Sequence, residues 1–190
     1  MTRGYISASF IFCMDIQASQ NKEILIRRQA IEQRIHELAQ EISRDYVGSA
    51  LLLVGVLKGA FVFLADLIRQ MTIPCEVDFV RLASYGAHTE SSGNVMLIKD
   101  IEGSIENKDV LIVEDILDTG LTMTKLVEIF SQRKPMSLKV CTFLDKQGRR
   151  RVPFEADYVG FTIGNSFVVG YGLDCNEQDR SLPDVYIIKQ

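Results

Sequence analysis

The chain of 190 residues is short of several features that would each announce a class of function. No apolar run approaches the ~20 residues that a membrane-crossing helix needs. The longest candidates are broken by Lys58 and Gly59 or by Glu114 and Asp115, so a soluble protein without a membrane partner is expected. Cys13, Cys75, Cys141 and Cys175 form no CxxC pair, which argues against a zinc knuckle or a thioredoxin-type motif and favours reduced, mostly structural thiols in a cytoplasmic protein. Basic charge is not in excess: the net charge is -4, so there is no overall field for nucleic acid. Histidine is scarce, and neither His36, beside a helical stripe, nor His88, in a polar stretch, has a partner in sequence; histidine chemistry is not expected. No GxGxxG follows a strand and no DxDxT ends the first one, which sets aside a dinucleotide-binding domain and a phosphohydrolase with an aspartyl nucleophile.

What is present suits one globular domain. With 47% hydrophobic residues the chain is long enough to bury most of the surface that its unfolded form exposes. Residues 1–15 read as an N-terminal extension, because the run Ala8 to Met14 lacks the long core and cleavage site of a signal peptide. Residues 16–190 are expected to form a single domain.

Ile24, Ile31, Ile35, Leu38 and Ile42 recur at helical spacing, predicting an amphipathic helix over roughly Lys22 to Ser43. Ala50 to Leu57 reads as a buried strand, and Lys58-Gly-Ala leads into a helix from Phe61 to Met71 before Pro74. Strands are expected near Glu76 to Leu82, Asn94 to Ile98, Val110 to Val113, Leu138 to Leu144, Tyr158 to Thr162, Phe167 to Val169 and Val185 to Ile188, with a helix from Leu121 to Gln132. Such alternation predicts an α/β fold: a mainly parallel sheet flanked by helices, with a small additional lobe. The polar stretch Ser84 to Gly93, anchored only by Tyr85, suggests a flexible lid.

The run Val110 to Met123 carries most of the chemistry. A strand buried on both faces gives way to Glu114, Asp115 and Asp118, then to Thr119, Gly120, Leu121 and Thr122. Carboxylates are costly to bury unpaired, so these should lie at the carboxyl edge of the sheet, where α/β proteins bind ligands. Glu114 and Asp115 can accept hydrogen bonds from vicinal hydroxyls or help to hold a hard cation such as Mg²⁺. The turn that follows opens a helix whose free N–H groups can receive a phosphate. An acidic loop that merely caps a helix accounts for this segment about as well.

Val110 to Met123 resembles the phosphoribosyl-diphosphate signature of the type I phosphoribosyltransferases: hydrophobic strand, two adjacent acids, Asp-Thr-Gly turn. More narrowly, the chain resembles the hypoxanthine-guanine branch of that purine family. Leu57-Lys-Gly-Ala60, Ser84-Tyr-Gly86, Asp145-Lys146 and Phe167-Val-Val-Gly-Tyr-Gly-Leu-Asp174 with Arg180 follow in the expected order.

The resemblance implies a type I phosphoribosyltransferase fold with a hood lobe and a lid. It implies transfer of ribose 5-phosphate from 5-phospho-α-D-ribosyl 1-diphosphate to hypoxanthine or guanine, giving the nucleotide and diphosphate. Lys58, Gly59 and Arg180 would meet the diphosphate, and Ser84 and Tyr85 would close over it. Glu114 and Asp115 would hold the ribose, and Thr119, Gly120, Leu121 and Thr122 its 5-phosphate. Asp118 would be the catalytic residue that manages the purine proton. Lys146 would donate to the 6-oxo group, Phe167 would stack on the base, and Val168 would meet its ring nitrogens. Asp174, with Glu114 and Asp115, would help to hold Mg²⁺. A homodimer or homotetramer is implied, without nucleic acid. Arg149, Arg150 and Arg151 read together as a solvated basic loop, since their spacing does not say which of them reaches a ligand.

Overall fold

The computed structural model describes residues 22–84 and 95–189. The N-terminal extension and the greater part of the expected lid, from Tyr85 onward, therefore lie outside the described residues.

The central sheet has six strands: β2 (Leu51–Leu57), β3 (Cys75–Ser84), β4 (Val95–Lys99), β5 (Asp109–Leu117), β6 (Ser137–Asp145) and β7 (Tyr158–Thr162). Their spatial order is β4-β3-β2-β5-β6-β7. All neighbours are parallel except β3 and β4. β2 and β5 sit in the middle; β2 is buried almost end to end and β5 along Val110 to Val113, as their runs of Leu, Val and Ile require when both faces are covered.

On one face, α1 (Arg28–Asp45) and α2 (Phe61–Gln70) contribute Ile31, Ile35, Leu38, Phe63 and Leu67 to a core shared with Leu51, Leu53, Leu111 and Phe143. On the other, α3 (Leu121–Ser131) packs Met123, Leu126 and Phe130 against Leu52, Val54, Val110 and Ile112. Successive strand residues point to opposite faces, so one apolar strand feeds both cores.

A second sheet forms the small lobe, in the order β1-β9-β8. It joins β1 (Lys22–Ile26) from the start of the described chain to β8 (Val168–Val169) and β9 (Val185–Ile188) near its end. Here the expected first helix needs correction. Lys22 to Ile26 is a strand, antiparallel to β9, and the helix runs from Arg28 to Asp45. Pairing with a strand about 160 residues away overrides the local pattern.

Cysteine chemistry is also corrected in part. Cys75 and Cys141 are free, whereas Cys175 is disulfide-bonded.

Candidate functional site

Three neighbouring strands deliver the site. The parallel registers of β2, β5 and β6 bring their carboxyl ends to one edge of the sheet, and each ends in residues too polar to continue the core.

At the end of β2 the Leu57-Lys58 peptide bond is cis. Gly59 follows, and a Cβ placed on it would overlap Asp115 Oδ2. Glycine is therefore required where this loop's backbone lies directly on the carboxylate of the neighbouring strand.

At the end of β5 the strand continues four residues beyond the predicted Val113, so Glu114 and Asp115 are strand residues. Their carboxyl groups lie close enough to hydrogen-bond to each other. Glu114, Leu117, Asp118, Thr119, Gly120 and Thr122 line a cavity of about 90 Å³, which places one acid of the pair with the turn. Gly120 precedes α3 with φ of +82°, a conformation that glycine adopts without penalty. No side chain of this residue caps the helix, and Leu121 N–H donates to Thr119 Oγ1 at 3.4 Å. The turn thus wraps the amino end of α3, whose dipole favours an anion.

At the end of β6, Asp145 and Lys146 are both buried. Lys146 N–H donates to Leu117 O at 2.9 Å, so the base of the acidic turn and the buried lysine share a backbone hydrogen bond.

Burial dominates the electrostatics of these groups. Burial, and then the charge of Asp115, push the Glu114 carboxyl well above the usual carboxylate range. Burial also raises Asp115, while a hydrogen bond with Glu114, backbone N–H groups and the charge of Arg180 draw it back down. Glu114 Oε2 and Asp118 Oδ1 are buried atoms without a hydrogen-bond partner; Arg149 Nε lies 3.2 Å from Asp118 Oδ1 as an ion pair, but not at hydrogen-bond geometry. Burial pulls Lys146 below the ordinary lysine value, and Asp118 pulls it back up. Unsatisfied buried acceptors are costly, and hydroxyls or a cation would satisfy them.

The hood closes the site from the side of Gly59. A Cβ at Gly172, where φ is +94°, would overlap Gly59 O, so two glycines let the lobe sit on the β2 loop. Arg180 donates to Gly172 O at 2.8 Å and pairs with Asp174 at 2.7 Å. Lys58 is exposed rather than buried at its strand end, and meets Glu177 at 2.8 Å. Phe167 is half-buried and packs against Val169, Cys175 and Ile188. Val168 is buried and pairs with Ile187 in β9.

Lys58, Gly59, Asp174 and Arg180 thus form one cluster. Glu114, Asp115, Asp118, Thr119, Gly120, Leu121, Thr122 and Lys146 form another, joined to the first where Gly59 meets Asp115. Ser84 ends β3, and Tyr85 lies outside the described residues. Among the described residues no three carboxylates, cysteines or histidines come together as a metal-sized cluster. Asp174 is engaged with Arg180 instead of meeting Glu114 and Asp115.

Two residues escaped the sequence reading. Glu177 contacts both Lys58 and Arg180, and its only signal in sequence is the spacing of three from each of Asp174 and, on the other side, Arg180. Arg150 is the other. The solvated-loop reading holds for the exposed Arg149 and Arg151, although Arg149 also pairs with Asp118; it fails for Arg150, which turns inward to a buried ion pair with Asp145. Three consecutive arginines look alike in sequence, and only the path of the loop separates them. A roomier hollow of about 600 Å³, lined by Arg28, Ile35, Asp66, Tyr171 and Arg180, contains none of the turn residues.

Comparison with known proteins bears on these same residues. A family model described as phosphoribosyl transferase domain matches residues 21–176. A hypoxanthine-guanine phosphoribosyltransferase of Aquifex aeolicus is 46% identical over 168 residues, covering 88% of this chain and 94% of that protein. One from Bacillus subtilis is 45% identical, covering 88% and 93%. The crystal structure of a hypoxanthine phosphoribosyltransferase from Staphylococcus aureus superposes with a TM-score of 0.86 at 46% identity, covering 88% of this chain and 91% of that one.

Proposed function

The chain belongs to the hypoxanthine-guanine phosphoribosyltransferases of the phosphoribosyl transferase domain family, and from that premise we propose how its own residues divide the reaction. The enzyme serves purine salvage. It transfers ribose 5-phosphate from 5-phospho-α-D-ribosyl 1-diphosphate to hypoxanthine or guanine, forming the nucleoside monophosphate and releasing diphosphate. The observation that supports this division is the junction of the acidic turn with the buried Lys146 through the Leu117 carbonyl, consistent with a sugar-phosphate half-site beside a base half-site.

Glu114 and Asp115 accept hydrogen bonds from the ribose hydroxyls. Thr119 to Thr122 hold the 5-phosphate with hydroxyls, backbone N–H groups and the positive end of α3. Lys58 and Arg180 stabilise negative charge as it grows on the departing diphosphate, with Gly59 letting the backbone approach. Lys146 donates to the 6-oxo group of the base. Adenine offers a donor at that position and leaves the buried lysine facing another donor, a mismatch that sites of this kind reject strongly. Phe167 covers the ring, and the backbone at Val168 meets its nitrogens. Asp118 handles the purine proton at its ring nitrogen as the new bond to the sugar forms. Ser84 and Tyr85 shield the electrophilic sugar from water.

Magnesium fits these residues. Glu114, whose Oε2 is orphaned, and the adjacent Asp115 are oxygen donors, with Asp174 engaged separately by Arg180, and Mg²⁺ is commonly held by one or two carboxylates together with substrate phosphates rather than by a closed protein cage. When bound, it neutralises charge on the diphosphate.

The single domain over residues 16–190 works in the cytoplasm as a homodimer or homotetramer. No helix among the described residues is long and apolar enough to cross a membrane, and exposed Phe61 on α2 offers an apolar contact for a second copy.

The test is direct. The protein is mixed with the ribosyl donor, Mg²⁺ and, in turn, hypoxanthine, guanine, xanthine and adenine, and nucleotide formation is followed. Transfer to hypoxanthine and guanine but not adenine is expected; no transfer to any base would overturn the reading.

A further inference from the structure

Among the described residues, Arg150 makes more side-chain hydrogen bonds than any residue assigned to the reaction, and every acceptor belongs to a segment that carries or flanks the site. Its Nη1 donates to Leu117 O at 2.7 Å, to Asp118 O at 2.6 Å and, more weakly, to Lys146 O at 3.4 Å. Its Nε donates to Phe154 O at 3.1 Å. Its Nη2 pairs with the carboxylate of Asp145. Side-chain exposure is 14% for Arg150 and 6% for Asp145, so the pair is shielded from water and from salt.

These contacts converge on one place. Leu117 and Asp118 lead into the phosphate turn, and Asp145 and Lys146 end the strand beside it. Phe154 in turn lies against Gly120, where an added Cβ would sit 3.3 Å from its own Cβ. The backbone adds Lys146 N–H to Leu117 O, and Arg151 N–H to Thr119 O, both at 2.9 Å. A guanidinium is planar, always charged and rich in donors in a fixed fork, and it can satisfy several carbonyls and a carboxylate at once. A lysine in the same place has a single nitrogen and cannot span them.

We propose that Arg150 is a positioning residue that fixes the distance between Asp118, at the phosphate turn, and Lys146, in the base half-site. The proposal rests on the reading of these two residues given above. Asp118 and Lys146 must touch two atoms of one rigid purine while the sugar carbon is held by the turn. A displacement of about 1 Å in such an arrangement can lower turnover roughly a hundredfold. Arg150 touches neither substrate: it acts by holding two backbone segments together, where burial makes its hydrogen bonds strong.

The test uses Arg150→Lys, Arg150→Ala and the double variant Asp145→Asn with Arg150→Gln, which removes both charges of the buried pair. Two readouts are taken on each folded protein. The first is steady-state transfer to hypoxanthine, with kcat expressed per folded molecule. The second is backbone hydrogen exchange over residues 117–120 and 145–151, which needs no substrate. Arg150→Lys is expected to lose roughly tenfold to a hundredfold in kcat, with KM for each substrate changed less than kcat, and exchange is expected to rise in both segments together. Millimolar guanidinium is expected to restore part of the turnover of Arg150→Ala. The proposal is overturned if kcat of folded Arg150→Lys stays within about twofold of the parent, if exchange rises in one segment alone, or if all three proteins fail to fold, since Arg150 would then serve folding only. A parent protein that showed no transfer to hypoxanthine would instead defeat the functional reading, and the exchange data would still report on the tether.

Discussion

At the scale of single residues, the site trades stability for function. Glu114 holds a proton to higher pH in the folded chain than in the unfolded one, because burial and Asp115 disfavour its charge. The folded state therefore binds more protons than the unfolded state between the usual carboxylate range and the raised value. Stability falls as pH rises through that window. Glu114→Gln removes this cost, so the ligand-free variant should be more stable at neutral pH, by on the order of 1 kcal/mol, while losing affinity for the ribosyl donor. Thermal unfolding across pH, paired with donor titration, measures both; a variant less stable than the parent at neutral pH would contradict the account. Asp118→Asn keeps the shape of the turn but can neither accept nor return a proton. Turnover should fall by roughly 10²-fold or more with KM for the base little changed, and a variant with full kcat would remove Asp118 from the proton step.

At the scale of elements, glycines decide how closely loops approach. Gly120 sits at φ +82° with its missing Cβ 3.0 Å from Val152 Cγ2. Gly120→Ala should cost about 1–2 kcal/mol from the left-handed backbone alone, and shift the amino end of α3 away from the 5-phosphate. Denaturant unfolding and the KM for the donor are the measurements, and a rise in KM without change for the base is the expected signature. Most element boundaries were legible in the sequence within a few residues, because the strands are short runs of Val, Ile and Leu between polar turns. The first element was not. Lys22 to Ile26 alternates poorly and continues a helical stripe, and what makes it a strand is the far-off edge of β9.

At the scale of the whole molecule, the hood depends on both ends of the described chain. β1 and β9 pair along Lys22 to Ile26, and the lobe they build carries Asp174, Arg180 and the Gly172 contact with Gly59. Deleting residues 22–26 should therefore raise the KM for the ribosyl donor several-fold and lower the melting temperature, although none of those residues is assigned to a substrate. Unchanged donor kinetics in a folded truncation would show that the lobe stands without β1.

Sequence by itself determined the chemical inventory: the acids, hydroxyls and glycine of Val110 to Met123, the lysine after β6, and the α/β alternation that puts them at strand ends. These are local facts, set by side-chain type and by the period of the hydrophobic pattern. Tertiary structure alone decided which of three adjacent arginines turns inward, that Glu177 meets Lys58 across 119 residues, and that the chain's first described strand belongs to the hood. Each of those is a pairing between distant segments, and burial and hydrogen-bond satisfaction select such pairings only once the sheet has brought the segments together.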